Sequence, residues 1–127
     1  MAQDGLRHGG LGADAAHLCI DMQGLFTGGS AWHTPWLERV LPVVERLAAA
    51  RPERTIFTRF IPANRPGEGE GRWRAYWERW AEMTLERLPP GATELLPPLA
   101  RLVPPAEVID KRFYSPWHGT DLHARLQ

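Results

Sequence analysis

The sequence predicts an α/β fold in which helices flank a parallel sheet, and three observations support this prediction. Three short apolar segments, at residues 16 to 22, 54 to 60 and 107 to 111, have the length and composition of buried strands. Longer segments with helical periodicity separate them, so strands and helices alternate along the chain. Connections of this kind place consecutive strands parallel in one sheet, with helices covering its faces.

The chain is long enough for one domain with its own hydrophobic core, since it has 127 residues and 43% apolar composition. Residues 1 to 15 are predicted to be a flexible lead-in, and residues 16 to 127 to be the domain. The first strand, "AHLCIDM", is nearly continuous in apolar character but contains Asp21 close to its end.

The first helical segment, "TPWLERVLPVVERLAAAR", follows a loop. Thr34 and Pro35 suit a helix cap and a first helical position. Because a proline inside a helix lacks an N–H donor and clashes with the preceding turn, Pro42 predicts that the main helix begins near Leu41. Its predicted apolar stripe comprises Val40, Val44, Leu47 and Ala48.

The second strand, "RTIFTRF", is rich in β-branched and aromatic residues. Residues 61 to 72 form a long loop of proline, glycine and charged residues, a composition typical of a mobile or functional segment. Its "GEGEG" stretch lacks the lysine and hydroxyl residues of a phosphate-binding loop. The next segment, "WRAYWERWAEMTLERL" at residues 73 to 88, predicts a helix that ends at Pro89.

The last third of the sequence predicts a short helix, a strand and a final helix. "TELLPPLARLVPP" holds the short helix, interrupted by prolines, and "EVIDK" is the third strand. Thr120 is a suitable cap for a helix that starts at Asp121.

The composition excludes several classes of protein. The 15 basic and 15 acidic residues cancel, so the sequence predicts no nucleic-acid partner and no attraction to an anionic membrane. No segment has the apolar length of a membrane span or a signal core. Cys19 is the one cysteine, which is compatible with a reducing compartment. We therefore expect a cytoplasmic protein that binds a small-molecule substrate.

Lysine is rare in this sequence, because 14 of the 15 basic residues are arginine. Two explanations of a lone lysine stay open: chance, or a task for its compact ammonium that a guanidinium cannot perform. Lys111 ends the third predicted strand, and Asp21 ends the first. The carboxyl ends of parallel strands share one edge of the sheet, where ligands bind. There a carboxylate can act as a general base beside an ammonium, or the two can form a structural ion pair.

A Cys/His/Asp triad within the first strand is excluded by geometry. His17, Cys19 and Asp21 point to one face, but residues two apart on a strand are separated by roughly 6.6 Å. A nucleophile and its base need about 3 Å. Cys19 is therefore expected to be a core residue, where burial disfavours the thiolate.

The motifs "CIDMQGLF", "TIFTRF", "GRWRAYWERWAEMT" and "VIDKRFYSPWHGTDL" resemble those of the isochorismatase-like cysteine hydrolases, from about His17 to the end of the chain. The resemblance implies a three-layer α/β/α domain, of which this chain holds the first three strands. It implies catalytic Asp, Lys and Cys residues acting on amides or related C–N bonds, with Asp21 as the base and Lys111 as the lysine. It also implies dimers or larger homo-oligomers.

Two departures from the family pattern qualify that reading. The family's nucleophilic cysteine follows a later strand, so these 127 residues are expected to be the N-terminal portion of such a domain and inactive alone in the covalent mechanism. Alternatives are an inactive fragment that acts by binding or subunit pairing, and a vinyl-ether hydrolase that needs no cysteine. The metal-binding Asp-x-His pattern of nicotinamidases is replaced by "TRFIPAN". We expect no metal or other cofactor.

No residue is assigned to substrate binding from the sequence. Phe26 and Trp32 follow the first strand and are candidates for substrate contact. His118, just past Lys111, either lines the pocket or lies in a solvated loop. An aromatic helix face is expected in the core or a subunit interface, or else as a wall of the substrate cleft. That face comprises Trp73, Tyr76, Trp77 and Trp80.

Overall fold

The computed structural model describes residues 5–127, and its three strands form one parallel sheet in the order β1-β2-β3. The strands are β1 (His17–Ile20), β2 (Thr55–Phe60) and β3 (Glu107–Lys111). The register pairs Ile20 with Thr58 and Phe60 with Lys111. This confirms the predicted α/β class and brings the carboxyl ends of all three strands to one edge.

Within residues 5–127 four α-helices flank the sheet: α1 (Trp36–Ala50), α2 (Arg72–Arg79), α3 (Pro97–Ala100) and α4 (Leu122–Arg125). Single turns of 3₁₀-helix lie at Gly24–Phe26, Pro52–Arg54 and Ala81–Met83. None of the helices within residues 5–127 has both the length and the apolarity to cross a bilayer. Of the predicted lead-in, residues 1–4 lie outside the described residues, and residues 5–15 contain turns but no helix or strand.

The prediction that the first helix begins near Leu41 is wrong, because α1 begins at Trp36 and contains Pro42. The proline removes one backbone donor, but Leu37 is buried in the core and holds the first turn in place. The predicted apolar stripe is also partly wrong. Ala48 is buried, whereas Val40 and Leu47 are exposed.

The predicted helix at residues 73 to 88 is too long, because α2 ends at Arg79. After it, the backbone N–H groups of Leu85 and Glu86 donate to the carbonyl oxygens of Ala63 and Asn64, each at 2.9 Å. The chain thus exchanges helical hydrogen bonds for bonds to the loop that precedes α2. Helical periodicity in a sequence does not reveal hydrogen bonds to residues so far away along the chain.

The core lies on both faces of the sheet, since successive residues of β2 point to opposite sides. Phe57 is fully buried beneath α1 and α3 with Cys19 and Leu99. Ile56 faces the other side, where it packs with Ile109 of β3 and Leu122 of α4. Helices therefore cover both faces, which is the three-layer arrangement that the family resemblance implies.

One flank of the domain is apolar and exposed. Within the described residues β1 pairs only with β2, and Ile20 is 44% exposed. The Glu45 carboxylate accepts a hydrogen bond from Arg101 at 2.8 Å, so that side of α1 faces α3. The exposed apolar residues of α1 lie roughly half a turn away from Glu45, on the side opposite α3. These residues are Trp36, Val40, Val43 and Leu47.

Truncation of the central core residue should be costly. We expect Phe57→Ala to lower the free energy of unfolding by about 3–5 kcal/mol, because it removes a fully buried ring and leaves a cavity. Val43→Ala, at a half-exposed position of α1, should change it by less than about 0.5 kcal/mol. Urea denaturation measures both values, and equal losses in the two variants would contradict the assigned core.

Candidate active site

Asp21 lies immediately after β1, where the chain turns. Its φ of 57° is in the left-handed region, which aspartate tolerates better than most residues. The Asp21 N–H donates to the carbonyl oxygen and to Oγ1 of Thr58, both at 3.2 Å. The Thr58 hydroxyl in turn donates to Asp21 Oδ1 at 2.8 Å. Thr58, which is fully buried in β2, therefore holds both the backbone and the carboxylate of Asp21.

Lys111, the last residue of β3, brings a buried ammonium to the same place. Its side chain is 2% exposed, and Nζ lies 3.1 Å from Asp21 Oδ2. Nζ also donates to the carbonyl oxygens of Tyr114 at 2.8 Å and Phe113 at 3.3 Å. Because an ammonium has three donors, these three partners satisfy it.

The structure thus brings together the two residues that the sequence singled out from opposite ends of the chain. The Asp21 side chain is 24% exposed, so it has access to a bound molecule while Lys111 stays out of water. Each carboxylate oxygen has one donor, Thr58 on Oδ1 and Lys111 on Oδ2, and keeps acceptor capacity for another. The catalytic roles of Asp21 and Lys111 stay a prediction.

A pocket of about 330 Å³ opens directly onto this pair. Apart from Asp21 and Lys111, every residue that lines it is aromatic: Phe26, Trp32, Phe60, Tyr76 and Tyr114. Lys111 Nζ lies 5.5 Å from the centre of the Phe60 ring. Apolar walls around a few polar groups are the usual composition of a small-molecule site.

Larger cavities lie elsewhere on the surface but have less suitable chemistry. One of about 510 Å³ is bordered by Arg59 and Asp110. These side chains are already joined in a two-pronged ion pair, with nitrogen–oxygen distances of 2.7 and 2.9 Å. Because Arg59 and Asp110 neutralise each other, neither is free to bind a ligand, and we place the candidate site at Asp21 and Lys111.

The aromatic candidates from the sequence divide between pocket and core. Phe26 and Trp32, which the sequence marks as candidates for substrate contact, stand side by side in the pocket wall, with ring centroids 6.2 Å apart. From α2, Tyr76 reaches the pocket, whereas Trp77 is buried and stacks on Phe60. Of the aromatic residues of α2, Tyr76 therefore forms part of the pocket wall and Trp77 belongs to the core, so each of the two predicted roles applies to a different residue.

Gln23 supports the site and was missed by the sequence analysis. Its fully buried side chain accepts a hydrogen bond from the Phe60 N–H at 2.7 Å and donates to the carbonyl oxygens of Phe60 and Thr93, both at 2.9 Å. It thus ties the turn after β1 to the end of β2. The available signal was a polar amide two residues after Asp21 in an apolar stretch.

Cys19 is separate from the pocket. It is 3% exposed and packs against Phe57 on the sheet face covered by α1 and α3. Burial, assisted by the negative charge of Asp21, raises the pKa of the Cys19 thiol to about 12. The expectation that Cys19 is buried in the core is confirmed.

His118 also lies outside the pocket that contains Asp21. Its ring packs edge-to-face against Phe113, with centroids 4.7 Å apart.

Comparison with known proteins decides the family. The sequence profile of the isochorismatase domain matches residues 15–127. The chain belongs to this family. None of the curated proteins matches it at a significant level.

Solved structures agree with this isochorismatase-domain assignment. A cysteine hydrolase from Pseudomonas syringae pv. phaseolicola 1448A is 27% identical, with a TM-score of 0.67, and the match covers 89% of this chain and 53% of that protein. N-carbamoylsarcosine amidase from Thermoplasma acidophilum shares the fold at 14% identity and a TM-score of 0.65, covering 88% and 60%. The isochorismatase domain described here thus spans little more than half the length of these proteins.

A third similar structure, the pyrazinamidase of Pyrococcus horikoshii in complex with zinc, is 21% identical, with a TM-score of 0.56 over 89% of this chain and 63% of that one. The corresponding chemistry does not fit here. Phe60, the last residue of β2, lies in the pocket wall, and Ala63, which follows the strand, is buried; neither side chain can bind a metal. Within residues 5–127, no three His, Cys, Asp or Glu side chains are grouped to hold a metal ion.

The burial of Cys19 predicts an unreactive thiol. Because its pKa is raised from 9.0 to about 12, the thiolate fraction at pH 8 should be about 1000-fold below that of a free cysteine. Alkylation by iodoacetamide, followed by mass spectrometry, should be very slow in the native protein and complete after unfolding in urea. Rapid alkylation of the native protein would contradict the burial of Cys19.

The ion pair should matter for stability because its ammonium is buried. We expect Lys111→Met to cost about 3 kcal/mol of unfolding free energy, since Asp21 loses its counter-charge. The double variant Asp21→Asn/Lys111→Met should recover part of the loss. Arg125→Met, which removes more exposed ion pairs with Asp121 and Glu107, should cost less than about 1 kcal/mol. Equal losses of unfolding free energy for Lys111→Met and Arg125→Met in chemical denaturation would contradict a larger contribution from the buried ion pair.

Proposed function

We propose that this domain supplies the base and the lysine of a hydrolase that cleaves a small amide or a related C–N bond. The observation that carries the proposal is the ion pair of 3.1 Å between Lys111 and Asp21 at an aromatic pocket of about 330 Å³. Membership of the isochorismatase domain family, whose similar structures include an amidase, supports the reaction class.

Asp21 is the proposed general base. Its carboxylate is held by Thr58 and Lys111 but keeps acceptor capacity toward the pocket. It would take the proton of a thiol as the sulfur attacks the substrate carbonyl. Lys111, 3.1 Å from the carboxylate, would orient it and stabilise the charges that develop. The nitrogen leaving group departs, and water then releases the acyl group from sulfur.

The nucleophilic thiol of this mechanism is not among the 127 residues. Their one cysteine, Cys19, is buried in the core and is disfavoured as a thiolate. The proposed amide hydrolysis therefore needs a cysteine from outside this sequence. The assembly we propose is a homo-oligomer that acts on a small molecule and binds neither nucleic acid nor membrane.

A second candidate function needs no thiol, and the completeness of the Asp21–Lys111 pair within this chain favours it. In this reaction a protonated Asp21 would donate to the terminal carbon of a vinyl ether, water would add to the resulting cation, and the hemiketal would break into a carbonyl compound and an alcohol. A third alternative is a domain without activity that functions by binding or by subunit pairing.

The test compares hydrolysis of a panel of small amides and a vinyl ether by the protein expressed from its complete open reading frame. Asp21→Asn and Lys111→Ala should each lower kcat/KM by at least about 100-fold, because each removes part of the proton-transfer machinery. The matched control is Asp110→Asn, which alters an exposed carboxylate next to Lys111 but outside the pocket. It should leave kcat/KM nearly unchanged.

The outcomes separate the alternatives. Inactivation by iodoacetamide supports the thiol mechanism, whereas vinyl-ether cleavage that resists this reagent supports the second candidate. Full activity in both Asp21→Asn and Lys111→Ala would refute the roles assigned to these residues. An absence of turnover throughout the panel favours the binding function.

A further inference from the structure

The aromatic surface does not stop at the pocket that contains Asp21. Tyr114 borders this inner pocket and also a second, wide-open depression of about 590 Å³. The outer depression is lined by aromatic side chains on α2 and on the loop after β3, together with Ser115. These are Trp73, Phe113, Tyr114, Trp117 and His118.

The rings form a continuous series from the ion pair to the surface. The centroid of Phe60, beside Lys111, lies 6.5 Å from that of Tyr114. Tyr114 lies 6.2 Å from Trp73, which is 5.6 Å from Phe113. A flat ligand that enters the inner pocket past Tyr114 therefore meets aromatic rings along its length.

Tyr114 lies between the inner pocket and the outer depression, and two hydrogen bonds hold it there. Its carbonyl oxygen accepts a hydrogen bond from Lys111, which anchors the loop, and its hydroxyl donates to Tyr76 at 2.9 Å. Burial, and then the hydrogen bond to Tyr114, raise the pKa of the Tyr76 phenol. Tyr76 therefore keeps its proton at neutral pH and can donate a hydrogen bond to an acceptor in the cleft.

Exposed aromatic rings are costly to maintain in water, and a group of them commonly marks a binding surface. Tyr114 is 65% exposed, Trp117 53% and Phe113 37%. The inner pocket, at about 330 Å³, lies at the small end of the range for ligand sites. Continuity with this pocket through Tyr114 indicates that the outer depression receives the distal part of the same ligand.

We propose that the outer aromatic depression is a second substrate subsite, and that the substrate is a neutral amide with a flat apolar extension of about one further ring. This inference rests on the proposed function, because it assumes that the scissile bond lies at Asp21 and Lys111. Aromatic contact in the outer subsite should strengthen binding without changing the chemistry at the ion pair.

Two probes of different length test the subsite by isothermal titration. Benzamide fills the inner pocket, and biphenyl-4-carboxamide adds one ring that reaches the outer depression. We expect the two-ring amide to bind about tenfold more tightly, a gain of about 1.4 kcal/mol from the added aromatic contacts. Trp117→Ala should abolish most of this gain and leave benzamide affinity unchanged.

Trp36→Ala is the matched control, because Trp36 is a comparably exposed tryptophan on α1 that lines neither cavity. It should alter neither affinity. Equal binding of the two amides, or an equal effect of Trp117→Ala on both, would overturn the subsite alone. If neither amide binds, the proposed function itself would be contradicted. A dimer in light scattering that Trp117→Ala dissociates would also overturn the subsite, since the patch would then be an interface between copies.

Discussion

The site depends on one buried ammonium. Lys111 is almost inaccessible to water, and a charge in that position is tolerated only with a full set of partners. Those partners come from separate parts of the chain: the carboxylate that follows β1, and two carbonyl oxygens of the loop that follows β3. Satisfying a single group thus fixes Asp21 relative to the loop that carries Tyr114. Because β2 lies between β1 and β3, the pair also depends on the parallel register of all three strands.

The aromatic walls and the ion pair reinforce each other. Phe60, Trp32 and Tyr76 keep the surroundings of Lys111 apolar, so electrostatic interactions at the pair are stronger than in water. The pair in turn gives an otherwise apolar pocket its polar end, and with it an orientation for a bound molecule. The amide of Gln23 completes this arrangement, since it holds the end of β2 against the turn after β1. The proposed proton transfer therefore requires the whole sheet edge, although only two side chains would carry it.

The sequence predicted features that depend on neighbouring residues more accurately than features that depend on contacts between distant residues. The strands were located within a few residues, because continuous apolar runs between turn signals reflect burial directly. The helices were less accurate: Pro42 is accommodated inside α1 because Leu37 anchors the preceding turn, and α2 ends early because residues beyond it bond to Ala63 and Asn64. Gln23 was missed, since its partners Phe60 and Thr93 are distant in sequence.

The sequence by itself determined the α/β class, the parallel direction of the strands and the placement of Asp21 and Lys111 at one edge, because short apolar runs that alternate with helical segments are compatible with few folds. Only the tertiary structure decided that the two charges touch, that Thr58 orients the carboxylate, and that Phe26, Trp32 and Tyr76 face the pocket while Trp77 enters the core. The direction of each side chain depends on packing against residues far away along the chain. A single sequence shows which side chains are present, but only the packed fold shows which of them meet.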